Sequence, residues 1–112
     1  MKKLAEKEFL DLMQQFADAW GVKSQMVLAI EEASELQKEL CKYLRRTENP
    51  GEYTKKEIEE IVANIQEETA DVLITASQMR NIFGADEVDK YIDRKLQRGA
   101  DRLKKSRKKA LQ

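Results

Sequence analysis

The chain contains no histidine and only one cysteine among its 112 residues. Without histidine there is no imidazole to act as a general acid or base, to activate a nucleophile or to bind a metal. The lack of histidine also argues against the di-iron helical bundles, which use Glu-x-x-His pairs. The lone Cys41 cannot form a disulfide within the chain, which fits a reducing compartment, and we expect a cytoplasmic protein.

Long apolar segments, proline and aromatic residues are also scarce. No run of about 18 apolar residues occurs, so we expect no membrane span, and the N-terminal residues lack the apolar core of a signal peptide. Aromatic residues make up 6% of the chain and charged residues 38%, with one proline and four glycines. This composition is typical of a helical protein, and the length predicts one domain.

The net charge is zero, but its distribution is uneven. Residues 1–83 carry 11 basic and 16 acidic side chains, whereas residues 84–112 carry 10 basic and five acidic ones. The basic C-terminal segment would suit a polyphosphate ligand if it lay beside a cluster of acidic residues that binds a metal ion. The alternative is a solvated helix end whose cations complement the helix dipole. Zero net charge and few aromatic residues argue against a nucleic-acid partner.

Apolar residues recur at helical spacing in four segments, and no segment alternates with period two. We therefore predict an all-α fold of four helices without strands. The first helix should run from about Lys3 to Trp20 and end at Gly21. Ser24 should cap the second helix, which should continue to about Arg46.

The second half of the chain carries clear turn and cap signals. Residues 47–53 form the one evident loop. Thr54 and Glu57 match a capping box that starts the third helix. Gly84 should end that helix, and Asp86 should cap the fourth.

Two acidic signatures interrupt the apolar stripes of helices two and three. They are Glu31-Glu32-x-x-Glu35 and Glu68-x-x-Asp71. Residues three apart lie about one turn apart on the same helix face, so each signature presents a carboxylate pair. Glu32 has leucines four residues before and after it, and Glu68 interrupts an apolar stripe in the same way.

If the two helices pack together, the two pairs should gather four carboxylates at one place. Like charges so close repel each other, and burying them is costly unless a cation binds. Carboxylate oxygens suit a hard divalent ion such as Mg2+ or Mn2+. The alternative is that all of these carboxylates are surface residues on glutamate-rich helices, as we expect for the following neighbours: Glu57, Glu59, Glu60 and Glu67.

The two signatures together resemble those of the MazG-like all-α nucleoside triphosphate pyrophosphohydrolases, which carry Glu-Glu-x-x-Glu on one helix and Glu-x-x-Asp on the next. The resemblance covers about residues 16–103. It predicts a domain over residues 1–103, followed by a basic tail over residues 104–112. The neighbours that also look like this family are Trp20-Gly21, Gln25, Ile30, Leu36 and Ala70-Asp71-Val72-Leu73-Ile74.

The resemblance implies a magnesium-dependent enzyme, in which Mn2+ could replace Mg2+. Such enzymes hydrolyse a nucleoside triphosphate to a nucleoside monophosphate and pyrophosphate, often as house-cleaning of the nucleotide pool. The resemblance implies Glu32, Glu35, Glu68 and Asp71 as metal ligands. Glu31 would orient the attacking water or accept its proton.

The resemblance also implies substrate contacts and self-association. Lys95, Arg98 and Arg102 on the last helix would bind the phosphates. Trp20 and Gln25 would contact the base, although Trp20 could equally be a core residue. Relatives form homodimers or homotetramers in which neighbouring subunits close the pocket, so we expect a four-helix bundle completed by self-association.

Three alternatives remain open from the sequence. The chain could be a non-catalytic helical interaction or regulatory protein whose acidic cluster is degenerate. The basic end could make it a nucleic-acid-binding module. Within the same superfamily, the substrate could be phosphoribosyl-ATP or a dUTP/dCTP-type nucleotide. Ser34 and Cys41 have no base partner in a chain without histidine, so we expect both to be structural.

Overall fold

The computed structural model describes residues 6–112, and these residues form four α-helices and no strand. The all-α fold of four helices is confirmed for this part of the chain, and the predicted start at Lys3 lies outside the described residues. None of the described helices is both long and apolar enough to cross a membrane. The helices are α1 (Glu6–Trp20), α2 (Val22–Thr47), α3 (Lys55–Phe83) and α4 (Ala85–Ala110).

Two glycines with positive φ separate consecutive helices. Gly21 has φ 86° and Gly84 has φ 121°, a region that favours glycine because it has no Cβ. Both predicted breaks are confirmed. The predicted caps Ser24 and Asp86 are wrong, because each helix begins at the residue directly after the glycine, without a side-chain cap. The sharp turn at glycine restarts the helix before either polar residue is reached.

The predicted capping box at the start of α3 is confirmed. The Thr54 backbone N–H donates to Oε1 of Glu57 at 3.1 Å, and the Glu57 backbone N–H donates to Oγ1 of Thr54 at 3.1 Å. These bonds satisfy two of the free N–H groups at the helix start. The bond from the Thr54 backbone is the main reason that the pKa of the Glu57 carboxyl lies below its usual value.

The chain divides into two compact units, with the boundary between Ile82 and Phe83. The first unit holds α1, α2 and nearly all of α3, and the second holds α4. In the first unit, Asn81 on α3 donates to Oε1 of Gln14 on α1 at 3.1 Å. Such a contact ties the last turns of α3 to the middle of α1.

Helices α2 and α3 run antiparallel. Asn64 on α3 donates to Oε2 of Glu39 on α2 at 3.5 Å, and Glu32 lies beside Asp71. Later residues of α2 therefore contact earlier residues of α3. This arrangement brings the two acidic signatures of the sequence together.

The inward face of α2 follows a heptad pattern, with steps of four and three residues. We call these residues the inner stripe, and none of them is exposed. A polar residue occupies every seventh position of the inner stripe. The predicted apolar stripe of α2 is wrong in part, because several of its members are exposed, and only Met13 and Ile61 are buried hydrophobic residues within residues 6–112. The inner stripe consists of Gln25, Ala29, Glu32, Leu36, Glu39 and Tyr43.

Candidate metal centre

The antiparallel packing of α2 and α3 assembles a group of three carboxylates, Glu32, Glu68 and Asp71, which we call the acidic cluster. One carboxylate oxygen from each residue lies within 4.8 Å of the other two, and all three residues are half-buried. Glu68 and Asp71 share a face of α3 because they are three residues apart. Three of the five acidic residues singled out from the sequence thus meet.

The carboxylates of Glu68 and Asp71 raise the pKa of Glu32. The pKa of Glu32 is raised to about 7, chiefly by a hydrogen bond with Glu68 and then by burial and a hydrogen bond with Asp71. Repulsion from the two neighbouring charges adds to this rise. Near neutral pH, Glu32 therefore holds a proton for much of the time rather than carrying a full negative charge.

Two oxygens of the acidic cluster are buried without a partner. Neither Oε2 of Glu32 nor Oε2 of Glu68 has a hydrogen-bond partner within the described residues. Buried polar atoms are nearly always hydrogen-bonded, because leaving them unpaired costs free energy. A cation would satisfy both oxygens and remove the repulsion between the carboxylates. The donor set consists of oxygens only and fits Mg2+ or Mn2+.

The other two acidic residues of the first signature lie outside the acidic cluster. Glu31 and Glu35 are both exposed on α2. Glu35 follows Glu32 by three residues and lies about one turn further along the helix. The predicted role of Glu35 as a ligand and that of Glu31 beside the attacking water both stay predictions.

Trp20 lines an open groove of about 640 Å3 at the junction of α1 and α2. Its side chain is 60% exposed, so the alternative of a core role is wrong. The ring stacks on Phe16, with ring centroids 4.8 Å apart and planes at 19°. The groove has an aromatic face with polar groups beside it. Most of its lining residues were not predicted from the sequence. Its lining consists of Trp20, Gly21, Lys23, Ser24, Val27, Leu28 and Glu31.

Gln25 does not line this groove. It belongs to the inner stripe, its side chain is 2% exposed, and neither amide atom has a partner within residues 6–112. Gln78 on α3 is likewise 3% exposed, with an unpartnered Oε1. The predicted contact of Gln25 with a base stays a prediction. Neither Gln78 nor Glu39 was predicted from the sequence. The seven-residue spacing of Gln25, Glu32 and Glu39 could have indicated Glu39, because it marks a polar heptad position on α2.

The predicted phosphate-binding residues lie in the second unit. Lys95, Arg98 and Arg102 are all exposed on α4, and their spacing of three and four residues places them on one face of that helix. The helix continues through residues 104–110 without a break. The predicted contact of these cations with phosphates stays a prediction.

No known protein family matches the chain, and no curated protein or solved structure shows significant similarity to it. The function must therefore be inferred from the residues themselves.

Proposed function

We propose that this chain is a magnesium-dependent nucleoside triphosphate pyrophosphohydrolase of the MazG-like type. It would hydrolyse a nucleoside or deoxynucleoside triphosphate to the monophosphate and pyrophosphate. The observation that carries the proposal is the acidic cluster, in which two helices bring three carboxylate oxygens within 4.8 Å of one another. The cluster residues belong to the two signatures that resemble this family.

Each acidic residue has a part in this proposal. Glu32, Glu68 and Asp71, together with Glu35, would hold Mg2+. When bound, Mg2+ would supply positive charge for phosphate oxygens and would lower the pKa of an attacking water. Glu31 is exposed on α2 directly before Glu32, and in this proposal it would accept a proton from that water.

No covalent nucleophile is needed for this reaction. The Ser34 hydroxyl donates to the backbone oxygen of Ile30 at 2.9 Å, a local helix bond that leaves it without an activating base. The chain lacks a glycine-rich loop that would cradle the β and γ phosphates. Water attack near the α phosphate is therefore the reaction that the cluster supports best.

The remaining parts of the proposal concern the substrate and the assembly. The exposed ring of Trp20 and the groove beside it would take the planar base, because aromatic rings stack on nucleobases. Lys95, Arg98 and Arg102 would bind phosphates. The domain would act as a homodimer or homotetramer, because its single-chain core is small.

The products of the reaction test the proposal directly. We expect the full chain with Mg2+ to convert at least one member of a panel of canonical, deoxy and modified triphosphates to monophosphate and pyrophosphate in equal amounts. Ion-exchange chromatography at early times would measure both products, and an EDTA-treated sample is the control. Nucleoside diphosphate and inorganic phosphate as the first products would contradict the proposal.

The basic residues of α4 should affect substrate binding more than chemistry. We expect Arg98→Ala to raise KM about tenfold with little change in kcat, since a lost charged hydrogen bond to phosphate weakens ground and transition states alike. Lys104→Ala is the matched control, because it removes a cation from the opposite side of α4. Steady-state kinetics with Mg2+ would measure both. A fall in kcat at unchanged KM in Arg98→Ala would rule out this role.

A non-catalytic interaction protein is the second candidate. The observation that favours it is the large apolar surface left open on α2, where Ile30 is 66% exposed and Leu44 is 56% exposed. The absence of hydrolysis across the whole triphosphate panel would favour this candidate.

A further inference from the structure

The last turns of α4 carry a dense group of cations. Every residue between 104 and 109 except Ser106 is basic. All of these basic residues are exposed, and α4 continues through them to Ala110. The zero net charge of the whole chain therefore does not describe this end of the helix. We call the set the terminal cations. It consists of Lys104, Lys105, Arg107, Lys108 and Lys109.

No acidic side chain neutralises the terminal cations. Within the described residues, none of them takes part in an ion pair. Asp101 is the only acidic residue between 94 and 112, and its Oδ1 accepts a hydrogen bond from Gln97 at 3.1 Å. Lys104 and Lys105 each have a like charge four residues later, and such pairs destabilise a helix. An anion from outside the chain would relieve this repulsion.

The helix dipole accounts for only part of this charge. It places about half a negative charge at the C-terminal end of a helix, which one or two cations are enough to complement. Lys105, Lys108 and Lys109, together with Gln112, also line a surface depression of about 200 Å3. Three ammonium groups and an amide around one depression favour a ligand with phosphate oxygens.

The terminal cations do not share one face of α4. At about 100° per residue they spread over about 200° of the helix circumference, from Arg107 at one edge to Lys109 at the other. A flat anionic surface would meet only one side of this arc. The major groove of duplex DNA is about 12 Å wide and admits an α-helix, so its two phosphate walls would meet both sides.

Other polyanions fit this end of α4 less well. Residues 94–112 contain no aromatic side chain, whereas proteins that bind single strands use aromatic side chains for base stacking. The major groove of double-stranded RNA is too narrow for side chains to enter. On the side of α4 away from the terminal cations, Leu103 is followed by the small residues Ser106 and Ala110, so little apolar area could enter a lipid surface.

We propose that the end of α4 binds double-stranded DNA, with the terminal cations on the phosphates along both walls of the major groove. The binding is independent of base sequence, because phosphate contacts carry no sequence information. This activity goes beyond the proposed hydrolysis. It does not require Lys95, Arg98 or Arg102, which the proposed function assigns to the phosphates of the triphosphate substrate.

The salt dependence of DNA binding tests the proposal. Each phosphate contact adds about −0.9 to the slope of the logarithm of the association constant against the logarithm of salt concentration, so five contacts should give about −4.5. Fluorescence anisotropy of a labelled duplex of about 20 base pairs, titrated with the full chain at about 50–300 mM KCl, would measure this slope. EDTA in every sample would prevent a metal ion at the acidic cluster from holding phosphates.

Neutralising three terminal cations should weaken the binding in a defined way. We expect the triple variant Lys105→Gln, Lys108→Gln and Lys109→Gln to reduce the slope to about −2 and the affinity at about 0.1 M salt by about a hundredfold. Glutamine keeps a helix-forming side chain, so circular dichroism should show the helix content of the wild type.

The control variant removes the same number of charges elsewhere. It should bind DNA with the affinity and salt dependence of the wild type, although its net charge equals that of the first variant. Its three changes lie on exposed residues of α2 and α3 and are Lys38→Gln, Lys55→Gln and Lys56→Gln.

Several results would overturn the proposal. One is a duplex that stays unbound at about 50 mM salt. Equal weakening in both triple variants would show that net charge, rather than the end of α4, attracts DNA. Tighter binding to a single strand of the same length, or binding to phosphatidylserine vesicles without binding to the duplex, would assign a different partner. None of these measurements involves triphosphate hydrolysis, so failure of the proposed function would leave this inference standing.

Discussion

Glu68→Gln should abolish pyrophosphate release while leaving the chain folded and more stable without metal than the wild type. The change keeps the shape of the side chain but removes one negative charge from the acidic cluster. Loss of that charge weakens metal binding and misplaces the attacking water, so we expect turnover to fall by about a thousandfold. The same loss relieves repulsion with Glu32, so the melting temperature in EDTA should rise.

The control for this change lies one residue away. Glu67 precedes Glu68 on α3 and is exposed, so Glu67→Gln should keep wild-type turnover and an unchanged melting temperature. Pyrophosphate release and thermal unfolding would be measured on the same samples of both variants. Full activity in Glu68→Gln would show that the acidic cluster is not the metal centre. Inactivity with a lowered melting temperature would indicate a structural role instead.

Magnesium should stabilise the folded chain, and it should do so more strongly at pH 8 than at pH 5.5. Mg2+ competes with the proton that Glu32 retains, because the pKa of Glu32 is raised to about 7. At a hundredfold excess over its Kd, a ligand adds about 2.7 kcal/mol to the free energy of unfolding. For a chain of this size that corresponds to a rise of about 10 °C in the melting temperature.

Without metal, the Glu32 carboxyl determines the direction in which the free energy of unfolding changes with pH. The pKa of Glu32 rises from its ordinary value of 4.5 to about 7 in the folded chain, so the folded state binds the proton more tightly than the unfolded state. The contribution of this group to stability is therefore complete below pH 4.5 and is lost as the pH rises to about 7.

A comparison in EDTA isolates this group. Glu32→Gln should remove the contribution of Glu32 to the change in melting temperature with pH. Glu60→Gln, on an exposed residue of α3, should retain that contribution. Thermal unfolding between pH 4.5 and pH 8 would measure both effects. If Mg2+ leaves the wild-type melting temperature unchanged at pH 8, the metal site is refuted. An equal slope in wild type and Glu32→Gln would refute the raised pKa.

The elements and the meeting of the carboxylates could be predicted because they depend on local chemistry. Gly21 and Gly84 end helices through backbone conformations that other residues avoid, and the capping box at Thr54 depends on residues three apart. The spacing of Glu68 and Asp71 fixes their common face in the same way. Local signals of this kind require no knowledge of which helix packs on which.

The inward face of α2 could not be predicted, because two heptad stripes compete for it. Apolar periodicity favours a second heptad stripe, which follows the inner stripe by one residue and includes the exposed Ile30 and Leu40, over the inner stripe, which carries Gln25, Glu32 and Glu39. The choice depends on the partner helix. Asn64 and Asp71 on α3 supply contacts to the polar inner residues, and sequence periodicity contains no information about this pairing.

The two stripes of α2 are offset by one residue, and this offset makes the helix sensitive to length. A substitution in either stripe changes one contact. A deletion of a single residue early in α2 would instead turn the rest of the helix by about 100°, presenting residues such as Leu40 and Leu44 to α3 and turning the polar inner residues away from it. Glu39 and Asn64 would then separate even though both side chains were still present. Natural variation in this segment should therefore change residue types far more readily than residue number.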